Sequence, residues 1–228
     1  MQAIAIVGSV GFNGLNAEKD VRAVQERLLE TQGVCSKVTG RCDSDTVAAI
    51  LEFQAAFVSK PDGLISANGQ TLKMLNRWSI KQVGAGVDLR GNLRKAWDVV
   101  NPFLPDGSYC SSGYRSAEDQ RRILHKFYST TYKPQIVKKY GAAEYTTVWT
   151  NRLVQESRVL EMVRGVGQAI AAPGRSMHQQ GRAVDIGGPD AIDAEQKKIV
   201  EMVAQANPTL FSGMVLKERN GCVHFEIR

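Results

Sequence analysis

Two of the three histidines in this 228-residue chain stand beside other reactive side chains. His178 lies in Ser176-Met177-His178-Gln179-Gln180-Gly181-Arg182-Ala183-Val184-Asp185, and His224 lies in Cys222-Val223-His224-Phe225-Glu226 near the C-terminus. Imidazole and carboxylate groups bind zinc or move protons. Gly181 suits a turn after His178, and Ala183 and Asp185 fall on one face of an extended segment. Ser112-Gly113-Tyr114-Arg115-Ser116 adds a guanidinium, which stays charged and offers a fork of donors. His125, in Ile123-Leu124-His125-Lys126-Phe127-Tyr128, has no such company and reads as a structural or surface residue.

The run from Ser176 to Asp185 resembles the S-x-H-x-x-G-x-A-x-D signature of the zinc peptidases that include D-alanyl-D-alanine carboxypeptidases and phage L-alanyl-D-glutamate endopeptidases. All five fixed positions agree. The resemblance spans roughly residues 88–228. It implies that His178, Asp185 and His224 bind one zinc ion. Three protein ligands leave a fourth position for water. Two neutral imidazoles and one carboxylate leave the centre positive, which acidifies water and polarises a scissile carbonyl. The SGYRS segment is similar to a second family segment, and the similarity implies that Arg115 steadies the oxyanion, with Ser176 as a supporting donor.

The chain departs from the family pattern at the general base. The family commonly places a Glu three residues before the last ligand or a His two before it; here Gly221 and Cys222 occupy those places. The nearest carboxylates are Glu218 and Glu226. Residues 216–226 read as a hairpin turning at Asn220-Gly221. A two-residue loop sets Glu218 opposite Val223, away from His224. A three-residue loop sets it opposite Cys222, on the His224 face. Glu226 shares that face in either register. We expect Glu218 to be the base, with Glu226 second and Asp190 or Asp193 as further alternatives. Cys222 stays open as a buried thiol, a partner of Cys110 or a fourth ligand; Cys35 and Cys42 are either loop thiols or a pair.

These residues need positioning elements, and the pattern gives α+β: an N-terminal three-helix bundle and a C-terminal α+β domain with a small antiparallel sheet. We place the bundle at 1–80, a linker at 81–92 and the zinc peptidase domain at 93–228. Helices are expected at 17–31, from Asp43 or Ser44, and from about Asn68 to Trp78. Beyond the linker, helices are expected at 93–103, 117–128, 153–170 and 193–206, with an extended piece at 183–186 and a hairpin from 213; residues 129–150 carry no clear pattern. The bundle resembles the three-helix peptidoglycan-binding domain of cell-wall hydrolases. The likeness rests on Asp20-Val-Arg-Ala-Val-Gln-Glu-Arg-Leu28, on Thr46, Ala49, Ile50, Phe53 and Gln54, and on the run from Asp62 to Leu75. It implies a wall anchor, useful on an insoluble substrate because it raises local concentration.

An apolar content of 43% with 23% charged residues excludes a disordered chain. The net charge of +6 sits beyond residue 80, since the first 80 residues hold eight Lys/Arg and eight Asp/Glu. A basic half suits an anionic polymer. Peptidoglycan is the expected partner; nucleic acid lacks a supporting basic-aromatic motif. No apolar stretch of about 18 residues predicts membrane insertion. The start, MQAIAIVGSVG, lacks a basic n-region. The expectation is therefore a monomeric phage-endolysin-type enzyme, made in the bacterial cytoplasm without a signal peptide. It would reach the wall through a separate permeabilising protein and cut the L-Ala–D-Glu bond. A D-Ala–D-Ala carboxypeptidase and an inactive wall binder are the alternatives.

Overall fold

A computed structural model gives the fold, describing residues 3–32, 35, 37–218 and 221–228, without the Gln32 side chain. The N-terminal part contains β1 (Ser9–Gly11), α1 (Glu18–Gln32), α2 (Ser44–Ala55), β2 (Leu64–Ser66) and α3 (Gln70–Arg77). Asp43 caps α2 by accepting from the Thr46 N–H at 2.9 Å, satisfying one of the orphan donors at a helix start. Val21, Val24 and Leu28 recur at helical spacing and are buried against Ile50, Phe53 and Leu75. The polar positions hold the fold together. The Gln54 amide donates to Asp62, to the Leu64 carbonyl and to Thr71, and its oxygen accepts the Asp62 and Gly63 N–H groups.

The larger part begins with β3 (Gln82–Val83), α4 (Asn92–Val100) and β4 (Tyr109–Ser112). Four helices follow: α5 (Ala117–Lys126), α6 (Lys133–Tyr140), α7 (Ala142–Thr150) and α8 (Glu156–Gly165). The chain then runs through β5 (Ala183–Gly187), α9 (Asp193–Ala206), β6 (Phe211–Lys217) and β7 (Val223–Ile227). The sheet order is β3-β4-β5-β7-β6, antiparallel except for the β3–β4 pair. The architecture is α+β, with a mixed sheet.

Strand alternation divides this sheet into two faces. Val184, Ile186, Val223, Phe225 and Ile227 are buried with residues of α4 and α9 in one core. The opposite face carries Ala183, Asp185, His224 and Glu226, and α5–α8 supply a second core around Leu124, Tyr128, Ile136, Val159, Met162 and Val163. A capping box between Ser116 and Asp119 starts α5. The helix ends earlier than expected, at Lys126, because a π-helical turn at Phe127–Thr131 takes over. The unassigned stretch is two short helices. The helix expected at 153–170 is confined to Glu156–Gly165, and Gly167 has a left-handed φ of 93°.

Residues 81–92, read as a linker, are joined to the sheet. Gln82 and Val83 pair with Tyr109 and Cys110, the Tyr114 N–H donates to the Asp88 carbonyl at 2.8 Å, and the Arg90 guanidinium lies 3.7 Å from the Tyr114 ring centre. The bundle also packs on the larger part. Phe103 meets Phe53 and Phe57 with ring centroids at 5.8 and 5.1 Å, and the Asn207 amide donates to the Ala56 carbonyl at 2.9 Å. Among the described residues no helix is long and apolar enough to cross a membrane.

Candidate metal centre

Asp185 on β5 and His224 on β7 are direct cross-strand partners, so their side chains leave the sheet on the same face. His178 comes from the loop before β5. Gly181, at φ 66°, turns that loop back into the strand, a conformation that favours glycine. The ligand atoms of His178, Asp185 and His224 all lie within 4.8 Å of one another, and the three residues are buried.

Hydrogen bonds fix how each ring presents its nitrogens. His178 Nδ1 is 2.7 Å from the Gly113 carbonyl, which only accepts, so Nδ1 carries the proton. Its Nε2 faces Asp185 Oδ2 at 3.2 Å. His224 Nδ1 is 2.8 Å from Asp185 Oδ1, and its Nε2 faces Glu226 Oε1 at 3.5 Å. A carboxylate behind the second nitrogen is the usual support of a metal-binding imidazole. Glu226 is paired across the strands with Ala183. The small Ala183 side chain, fully buried, leaves room above the sheet for the Glu226 carboxylate to reach His224.

The charges agree with a cation site. Burial pushes the Asp185 pKa up, but hydrogen bonds and charge from His178 and His224 outweigh it and hold the carboxyl well below its ordinary range. Burial pushes His224 down, and Asp185 overrides it, so its pKa is raised. A carboxylate held ionised between two imidazoles is a donor set that a divalent ion fits. His178, Asp185 and His224 are the residues that would hold zinc.

Around this triad lies a cleft of about 710 Å³ between the sheet and the helical cap, lined in part by Arg115, Ser176, Glu218 and Glu226. Arg115 comes close to Asp185 Oδ2 at 3.8 Å, and its Nε is buried without a partner among the described residues. Its backbone N–H donates to the His178 carbonyl, tying the SGYRS segment to the ligand loop. Burial lowers the Arg115 pKa, with Asp185 and Glu218 opposing that shift. The Ser176 hydroxyl has no hydrogen-bond partner among the described residues, so the expected supporting bond is not seen.

Lys217 pairs with Val223, and the Glu218 N–H donates to the Cys222 carbonyl at 2.8 Å. This is the three-residue register, with Glu218 on the His224 side. Asn220, where the turn was expected, lies outside the described residues. Gly221 explains why no carboxylate stands three residues before His224. Its φ is 81°, and a Cβ there would meet Asp190 Oδ1 at 2.7 Å. Burial and the neighbouring Asp185 raise the Glu218 pKa. Asp190 and Asp193 do not line the cleft among its described walls, and Asp193 pairs with Lys217 at 3.1 Å.

None of the four cysteines is in a disulfide. Cys110 is buried in β4, which pushes its thiol up to about 12, while Cys222 lies 4.0 Å from the Ser111 hydroxyl. The triad group contains no Cys222 sulfur. His125 sits edge-on to Trp149 at 5.6 Å, away from the cleft. Two contributions escaped the sequence reading: the Gly113 carbonyl behind His178, and Glu226 as the partner of His224. Strand alternation put Glu226 on the right face without saying which role it plays. Nothing in the sequence marks a backbone carbonyl.

Residues 107–212 match the family VanY, D-alanyl-D-alanine carboxypeptidase; Glu218, His224 and Glu226 lie beyond the matched stretch. No curated protein and no solved structure matches the chain. The stretch that carries Arg115, His178 and Asp185 is therefore similar to the VanY family, described as D-alanyl-D-alanine carboxypeptidase.

Proposed function

We propose that the protein is a zinc-dependent peptidase that hydrolyses an amide bond in the stem peptide of peptidoglycan, at L-Ala–D-Glu, as a phage-type lytic enzyme. The observation that carries this reading is the convergence of His178, Asp185 and His224 within 4.8 Å in the wall of a cleft, with a carboxylate and a guanidinium beside them. When bound, zinc supplies Lewis acidity toward a scissile carbonyl and an attacking water. Glu218 accepts the proton of that water; its raised pKa brings it nearer the pH at which a base works best. Arg115 stabilises the negative charge that develops on the substrate carbonyl oxygen, from a guanidinium whose buried Nε–H has no other partner. Glu226 orients His224.

Residues 1–80 serve in this reading as the wall anchor. The likeness of their motif to peptidoglycan-binding modules supports that role, and residues 81–92 join the anchor to the catalytic domain of residues 93–228. A monomer made in the bacterial cytoplasm then reaches its substrate once a separate protein permeabilises the membrane.

A second reading, removal of the terminal D-Ala, is favoured by the description of the matched family. Mass spectrometry of purified peptidoglycan digested by the protein separates the two. New L-Ala and D-Glu termini are expected. Release of D-Ala alone selects the carboxypeptidase, and no released fragment with zinc supplied removes the peptidase reading.

A further inference from the structure

Between α8 and the His178 loop the chain runs along the cleft, and residues 167–171 form part of its wall. Three successive carbonyls there are each engaged by a side chain, two from the helical cap and one from the segment itself. The Gln168 amide donates to the Ala169 carbonyl at 2.9 Å. The Arg164 guanidinium donates twice to the Ile170 carbonyl, at 2.9 and 2.8 Å. The Gln120 amide donates to the Ala171 carbonyl at 3.0 Å. The N–H groups of Ala169, Ile170 and Ala171 have no partner among the described residues. Backbone groups are obligatory hydrogen-bonding groups, and a segment with its acceptors satisfied and its donors open favours a ligand rich in acceptors.

Two of the three holding side chains are buried, while Arg164 is exposed. Gln120 and Gln168 are buried, at 3% and 8% exposure. Gln168 is itself held by the Tyr132 hydroxyl, which donates to its oxygen at 2.5 Å. Gln120 lies on α5, five residues after Arg115, so one helix start connects this segment to the guanidinium beside the metal triad. Its amide nitrogen faces a carbonyl, so its oxygen is the atom left without a partner.

We propose that residues 169–171 are a substrate rail: their open N–H groups donate to backbone carbonyls of a peptide lying in the cleft. Gln120, Arg164 and Gln168 are its positioning residues. This deepens the peptidase reading and rests on it. The rail recognises the amide backbone rather than side chains, and so fixes the register of the peptide against the triad.

Amide hydrogen exchange tests it with no change to the rail. The zinc-loaded Glu218→Gln variant is mixed with a disaccharide-pentapeptide fragment of peptidoglycan. The amides of Ala169, Ile170 and Ala171 should slow by at least about tenfold, the effect of a hydrogen bond formed in the complex. Exchange unchanged there, while resonances at Arg115 shift on binding, overturns the rail and leaves the peptidase reading standing. No binding and no cleavage of the fragment by the wild-type protein takes down both. A second arm uses Arg164→Met in the active protein. Releasing the Ile170 carbonyl should raise KM about fivefold, the scale of one hydrogen bond, with kcat and melting temperature nearly unchanged. A fall in kcat at constant KM counts against the rail.

Discussion

His224 and Asp185 face each other across paired strands, with Nδ1 2.8 Å from Oδ1, and each sets the charge state of the other. The raised pKa of His224 contributes stability that is complete below its unfolded value, about 6.5, and is lost as pH rises through the folded value. The depressed pKa of Asp185 contributes stability that is present above its unfolded value, about 3.9, and is lost only as pH falls through the folded value. Between those limits the metal-free protein holds a protonated His224 against an ionised Asp185.

Zinc needs the neutral imidazole, so proton and metal compete for His224. The metal-free protein should therefore lose stability as pH rises from about 6.5 through the raised pKa of His224, and zinc should raise its melting temperature more at pH 8 than at pH 6. Calorimetry at the two pH values, with chelator and with zinc, checks this. An equal zinc effect at both would mean that His224 is not a ligand.

Glu218→Gln keeps shape and burial but removes the proposed proton acceptor. Loss of a general base commonly costs about 10²–10⁴ in rate. The variant should bind zinc as the wild type does and lose activity on that scale, whereas Glu226→Gln should weaken zinc binding, in the range of about 10–100-fold that supporting residues show. Zinc titration alongside turnover of a stem-peptide fragment distinguishes the roles. Full activity in Glu218→Gln reassigns the base.

What the sequence disclosed follows from how local each signal is. The turn at Gly181 and the alternation from Ala183 to Asp185 are neighbours in the chain, and both were readable there. The α9 helix was legible at both ends, since its apolar positions recur at one period. The Glu218 register was not, because two hairpin lengths differ by a single residue and reverse the face it occupies. The helical cap was blurred for a similar reason: the π-helical turn at Phe127–Thr131 and the left-handed Gly167 break the 3.6-residue period on which helix reading depends. Docking of the bundle through Phe53, Phe57 and Phe103 joins residues about 50 positions apart, and no local pattern reports such a contact.

Ala183→Leu tests whether the small residue of the motif serves the Glu226–His224 contact. Ala183 has no exposure and faces Glu226 across the strands, so a larger side chain must displace that carboxylate. Overpacking of this kind costs about 1–3 kcal/mol. Zinc affinity should fall more than in Ala183→Ser, a near-isosteric control. Matching affinities in the two variants would break the link between Ala183 and the centre.

Phe103 joins the two parts of the molecule. It is 1% exposed, it contacts Phe53 and Phe57, and all three belong to one continuous core with the sheet. Truncating a buried Phe to Ala costs about 3–5 kcal/mol. If the bundle and the sheet unfold as one unit, Phe103→Ala should destabilise a single unfolding transition by that amount, seen equally by fluorescence and by circular dichroism. If the bundle is an independent module, the wild type should already show two transitions, and the substitution should separate them further. A single transition would make residues 1–92 part of the same cooperative body as the triad. If residues 1–80 bind the wall as proposed, they would then orient the cleft toward it as well as hold it there.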